Sequence, residues 1–247
     1  RRQRQMCIRD RDNLNKYKGE ELQFKFMTNM DYEEYLWSRG ENELANLIRE
    51  SFNKRKTCPF HRLALDLFSE YLMTGGMPEV VAANISGLSA YKIDAIKQKI
   101  KDIYIKELTE STNLIDIERS IAVFNSLPYQ LKKDNRKFQY GLLGFGRRKK
   151  EYDNAISYLV NNQIAYRSYK ITDVKSPLSS CRQPDSFKLY MNDEGILYSM
   201  LHLSQKEFMA NEKVRQILYE NHIAKTLAEA NYALYYLSLI HISEPTR

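Results

Sequence analysis

Three cysteines, six prolines and nine glycines are all that 247 residues hold of the residue types that most constrain a backbone. So few cysteines exclude a disulfide framework and fit a reducing cytoplasm. Scarce glycine and proline, in a chain rich in tyrosine and lysine, predict a largely helical cytoplasmic protein. No apolar run approaches the ~18 residues that a membrane span requires. The phosphate-binding pattern G-x-x-x-x-G-K-[ST] is missing altogether. Its nearest approach, Gly141-Leu142-Leu143-Gly144-Phe145-Gly146-Arg147, lacks the Lys-Ser/Thr that would hold phosphate and metal. It also lacks a preceding strand of sufficient length. Cys58-Pro59-Phe60-His61 is half of a zinc spacing without a second half, because Cys181, His202 and His222 are scattered. His61 and His202 sit beside apolar residues and read as hydrogen-bonded structural histidines.

The two ends are of a different character. Arg1–Arg11 and Leu237–Arg247 resemble translations of one sequencing-adapter word and its reverse complement. The word ATG TGT ATA AGA GAC encodes Met6-Cys7-Ile8-Arg9-Asp10, and its inverse, CTG TCT CTT ATA CAC, encodes Leu237-Ser238-Leu239-Ile240-His241. Such scars are set aside before fold reasoning. The expectation is an internal slice of a longer gene, with ends that contribute nothing to the fold beyond an apolar tail able to extend the last strand. The formal charge of +7 then falls to +3, since the first eleven residues carry five Arg and one Asp and the last eleven balance. A nucleic-acid reading must therefore rest on local clustering, not on the overall charge.

Between the ends the pattern is mostly helical. Leu22–Met27 alternates as one strand, and a lone strand implies missing neighbours. Asp31 with Glu34 three residues on is a capping box that opens a helix. A helix over 62–73 places Leu63, Leu67, Phe68, Tyr71 and Leu72 on one face and stops at Gly75-Gly76-Met77-Pro78. Helices are predicted over 78–83, 90–110 and 116–127, the last ended by Pro128. A charged turn at 132–137 and a short extended piece at 138–140 precede a helix over 147–161, with Tyr152, Ala155, Ile156 and Leu159 inward. Strands over 163–172 and 186–192 flank a polar connector, and helices over 194–203 and 212–230 lead to a strand at Tyr232–Tyr236, whose partners are expected to be missing. Helix, helix, recognition-type helix and ribbon is the order of a winged helix. Its core would set Tyr152, Ile156 and Leu159 against Ile117, Ile121 and Phe124, beneath Tyr166, Leu189 and Met191.

Six phrases in this order resemble a family of prokaryotic AAA-type ATPases with an uncharacterised C-terminal domain. They are Asn29–Leu36, Tyr71–Val81, Lys137–Tyr140, Glu151–Val160, Phe187–Asp193 and Glu220–Ala224. This chain has Asn29 where that family usually has Pro, and Glu194 where an apolar residue is common. The resemblance implies a mostly α fold with small β: lid helices, a winged helix and a truncated α/β, restriction-endonuclease-like start. The implied segments are 1–11 adapter, 12–85 end of the ATPase core and helical lid, 86–204 helical linker and winged helix, 205–236 nuclease-like start, and 237–247 adapter.

The resemblance also implies a function. The parent would hydrolyse ATP with Mg, whereas this piece lacks the phosphate loop, carries no cofactor and is not itself an enzyme. Gly75, Gly76 and Pro78 match the family's nucleotide-lid signature; the plainer reading is a helix stop that needs Gly and Pro for geometry. Lys132, Lys133, Arg136, Lys137, Arg147, Arg148, Lys149 and Lys150 put eight cations in nineteen residues and are the DNA-binding candidates. The alternative is a protein-docking module with no nucleic-acid binding, since a charge run is often a solvated face. Glu220 matches the first acid of a nuclease-like core, although the metal-binding partners such a core needs would lie past Tyr236; otherwise it is a helix-surface carboxylate. No metal site is expected. The implied partners are the missing N-terminal ATPase core, DNA and a protein partner, with no membrane.

Overall fold

The capping box at Asp31 opens the first helix of the computed structural model, which describes residues 28–111, 114–146 and 148–238. Glu34 N donates to Asp31 Oδ1 at 2.8 Å, and Asp31 N donates to Glu34 Oε2 at 3.0 Å. Four helices follow from that start: α1 (Tyr32–Ser38), α2 (Asn42–Asn53), α3 (His61–Thr74) and α4 (Pro78–Ile85). Gly75, at φ +84°, ends α3 in a backbone region open mainly to glycine, and Pro78 starts α4 at a position where its missing N–H is harmless. Next come α5 (Ala90–Ser111), α6 (Leu114–Leu131), α7 (Lys149–Asn161), β1 (Ala165–Ile171) and β2 (Arg182–Met191). The chain then runs through α8 (Glu194–Met200), α9 (Gln205–Ala210), α10 (Glu212–Glu229) and β3 (Tyr235–Leu237). The class is mostly α with small β, as the sequence implies.

One apolar core gathers residues from Tyr35 in α1 to Ala224 in α10. Tyr152, Ile156 and Leu159 of α7 lie in it with Phe124 of α6 and with Leu189 and Met191 of β2, while Ile121 and Tyr166 pack at its margin. Leu159 is fully buried, and the two ribbon strands belong to one sheet. A satellite cluster of Leu36, Leu44, Ala45, Ala64 and Leu67 holds α1, α2 and α3 together. Residues on both sides of positions 85 and 204 contribute to the first core.

Two local expectations need correction. Pro128 does not end its helix; α6 continues to Leu131. The missing N–H costs one hydrogen bond, but burial of Leu127, Gln130 and Leu131 holds the extra turn in place. Gln130 also clasps Gln139, accepting from its backbone N at 2.9 Å and donating to its carbonyl at 3.0 Å. The second correction concerns the last strand, which has a partner after all. The sheet order is β2-β1-β3, with β1 antiparallel to β2 (Ala165 opposite Met191) and parallel to β3 (Tyr169 opposite Tyr235). Leu237, first residue of the segment read as adapter, sits in β3 opposite Ile171. The strand expected at Leu22–Met27, residues 1–11, most of the tail and Arg147 lie outside the described residues.

Candidate functional site

Asp193 and Glu194, adjacent acids that begin α8, are both buried. Asp193 is the helix N-cap, and its Oδ1 accepts from Ile196 N at 2.9 Å. Its Oδ2 accepts from Gly76 N at 2.9 Å and from Asn29 Nδ2 at 3.2 Å. One carboxylate thus joins the start of α8, the turn after α3 and the residue before Met30. The fit depends on small residues. A Cβ on Gly75 would strike Asp193, one on Gly76 would strike the Met30 carbonyl, and one on Gly195 would strike the Thr74 carbonyl. Met30 N completes the seam by donating to Gly76 O at 2.8 Å.

Glu194 is 0% exposed and Lys225, on α10, is 1% exposed. Lys225 Nζ donates to Glu194 Oε2 at 2.9 Å, and His222 Nδ1 lies 2.7 Å from Glu194 Oε1. Lys225 also donates to the Tyr71 hydroxyl at 3.2 Å, which itself donates to Met30 O at 2.9 Å. Burial pushes the Glu194 carboxyl up, but the His222 hydrogen bond and the Lys225 ammonium outweigh it and leave its pKa lowered. Burial would pull the Lys225 ammonium down, yet Glu194, Tyr71 and Asp193 hold its pKa above the ordinary lysine value. For Asp193, burial dominates and raises the carboxyl despite Lys225. On the far side Lys97, buried and donating to Met73 O, is lowered by desolvation to about 8. The arrangement is a clamp: both oxygens of each carboxylate already accept from protein groups. Chemically it holds α3, α8 and α10 in register.

Gly75 and Gly76 occupy the centre of this clamp, and Pro78 lies exposed just beyond it. The close backbone approach that small residues permit is taken up here by α8 and by Met30. Asn29 and Glu194, the two departures from the resembling family, both contribute side chains to the network, and proline at 29 could not donate to Asp193. Composition gave no sign that these two positions meet. The one available signal was an Asp-Glu pair at a helix start, which reads first as capping.

The eight cations divide. Arg136 pairs with Glu220, and Lys149 pairs with Asp185 and Asp153. Lys132, Lys133, Lys137, Arg148 and Lys150 are exposed and make no ion pair among the described residues. Arg148 caps α7 and Lys149 starts it, so Arg148 and Lys150 lie at the N-terminal end of that helix, whereas Lys132, Lys133 and Lys137 lie in the turn after α6, which Arg136 ties to α10. Phe145, beside them, is fully exposed. Glu220 is no free surface carboxylate. Beyond Arg136 it accepts from Lys188 Nζ at 2.8 Å and from the Tyr190 hydroxyl at 2.5 Å, which ties α10 to β2 and to the turn after α6.

The remaining polar candidates stay apart. His61 and His202 are exposed, not enclosed. Among the described residues no group of three His, Cys, Asp or Glu side chains is placed to hold a metal ion. No described helix is long and apolar enough to cross a membrane.

Residues 65–207, more than half of the chain, match the family model described as a domain of unknown function, DUF8612. The chain belongs to that family. The DUF8612 match runs from α3 to α9, so it contains Gly75, Gly76, Asp193, Glu194 and all eight candidate cations. His222 and Lys225 on α10, and Asn29 and Met30 before α1, fall outside it, so the clamp draws on residues at both ends beyond the matched region. No curated protein and no solved structure matches the chain.

Proposed function

We propose that this chain is the C-terminal lid and effector segment of an AAA-type ATP-binding ATPase, and that its effector surface is the cation ridge made of the free cations of the turn after α6 and of the start of α7. The observation that carries the reading is the division of the cations. Five of them, Lys132, Lys133, Lys137, Arg148 and Lys150, remain exposed while Arg136 and Lys149 hold the fold. Exposed cations at a helix N-terminus, Arg148 and Lys150, and in the charged turn that precedes it in the chain suit the phosphate backbone of DNA, in the manner of a winged helix. Affinity would come from counterion release and carry little base sequence. ATP and Mg would be bound by the parent's core, and α1 to α4 would be its lid. The clamp supports this role, because a lid fastened to α8 and α10 moves with the ridge as one unit.

A second reading has an observation of its own. Phe145 stands fully exposed among the cations, where a protein partner would cover it. Fluorescence anisotropy with a labelled DNA duplex separates the two. Expected is binding whose logarithm falls with log salt at a slope near −0.9 per phosphate contact. Reversing Lys132, Lys133 and Lys137 to Glu should flatten that slope. Absence of duplex binding at low salt, or a slope unchanged in the triple variant, removes the DNA reading and leaves the docking one.

A further inference from the structure

The corner between α2 and α3 is a second surface that nothing so far uses. The inward stripe of α2 is Leu44, Ala45 and Ile48, all packed in the satellite cluster. The next residue on that stripe, Phe52, overshoots the core and is 83% exposed. Across the short connection, Phe60 at the start of α3 is 55% exposed. From Ser51 to Leu63 there is no acid, while Lys54, Arg55, Lys56 and Arg62 are all exposed. Among the described residues only Lys54 of these has an ion-pair partner, Glu50 one turn back.

Arg55 supplies an independent observation. The end of α2 is a Schellman turn: Lys56 N donates to Ser51 O at 2.9 Å and Arg55 N to Phe52 O at 3.1 Å. Arg55 holds the left-handed position of that turn, with φ +51°, where glycine carries no strain. Geometry alone would select Gly there. The chain instead has a cation, as it does at Arg136 (φ +49°), whose charge is used on Glu220.

We infer that this corner binds single-stranded nucleic acid, with Phe52 and Phe60 stacking on bases and Lys54, Arg55, Lys56 and Arg62 meeting phosphates. Exposed rings set among cations are the combination such strands require, because every base offers a π-face and every linkage a charge. A lipid surface fits less well. An interfacial helix needs its whole apolar face free, and that of α2 is spent on Leu44, Ala45 and Ile48.

The test uses the full chain and a short fluorescein-labelled oligothymidylate, followed by anisotropy. Binding should weaken about fivefold or more for each ring in Phe52→Ala and Phe60→Ala, as loss of base stacking requires. Arg55→Gly is the decisive variant: affinity should fall while the melting temperature stays level or rises, opposite to a purely structural residue. Duplex binding should persist in all three variants, since it belongs to the ridge. Conversely, the Lys132, Lys133 and Lys137 reversal should leave the ring-dependent component in place. The inference is overturned by oligothymidylate affinity unchanged in the three variants. It is overturned equally by no binding at low salt, or by binding to phosphatidylcholine–phosphatidylserine vesicles in its place.

Discussion

Removing the Lys225 ammonium from the clamp should cost about 3–5 kcal/mol, because it strands a carboxylate that has no route to water. Glu194 is 0% exposed, and of its two oxygens one faces Lys225 at 2.9 Å and the other His222 at 2.7 Å. In Lys225→Met the side-chain volume is nearly kept, so little cavity forms and the loss is electrostatic. Glu194 then keeps only the His222 hydrogen bond, and the Tyr71 hydroxyl loses a donor. Glu194→Leu should cost a similar amount by stranding the ammonium. The double variant is the informative one. With both charges replaced by apolar groups of similar size, stability should return to within about 1 kcal/mol of the parent chain, since desolvation of the pair offsets most of its attraction. Equilibrium urea unfolding of the four proteins, at matched slopes, gives the cycle directly. The reasoning fails if Lys225→Met costs less than about 1 kcal/mol, or if the double variant is as unstable as the two single losses added together.

Leu159→Ala should destabilise by about 2–5 kcal/mol through a cavity beneath the ribbon, measured by thermal or urea unfolding; a loss under about 1 kcal/mol would contradict its central place in the core. Gly195→Ala drives a Cβ into the Thr74 carbonyl, which cannot swing aside as a side chain would, and should cost about 1–3 kcal/mol or more. Glu229 is raised, chiefly by burial, from the ordinary value of 4.5 to about 7. A raised acid favours the folded state below pH 4.5 and loses that contribution as pH rises through 7. Glu229→Gln should therefore be more stable than the parent at pH 8 by about 1–2 kcal/mol, after allowing for a side chain that is only partly buried, and no more stable at pH 4. Parallel stability–pH curves for the two proteins would refute it.

The elements with local punctuation were legible in the sequence. Asp31 with Glu34, the Gly75-Gly76-Met77-Pro78 stop and the apolar period of 152, 155, 156 and 159 each specify a helix or its end from neighbours in the chain. α9 carries the same kind of signal, the capping box Ser204 with Glu207, but its six residues are too few to show an apolar period. α2 has a strong apolar stripe, but Glu41 before it provides no side-chain cap. Pro128 misled because its local penalty is real and the burial of Leu131 that outweighs it is tertiary. The clamp was illegible for a related reason. Asn29, Gly76, the adjacent Asp193 and Glu194, and Lys225 lie in four separate stretches, and no spacing rule connects an acid in α8 to a lysine on α10. The cation run was visible as a cluster, but which of its members are committed depends on Glu220 and Asp185, both remote in sequence.

The clamp also sets an order of events in time. Gly76 and Asp193 are 117 residues apart in the chain, and Tyr71 and Lys225 are 154 apart. Contacts of such separation close late, after the loop entropy between them has been overcome, and they slow folding. A ribosome making this chain releases α1 to α4 long before Lys225 exists. Until α10 emerges, Glu194 has no ammonium to face and the glycine turn has no finished seat, so the helices synthesised first must wait with their apolar faces open. Nascent chains halted before residue 225 should therefore be protease-sensitive through the glycine turn and prone to capture by chaperones, and release of the last helix should end both together.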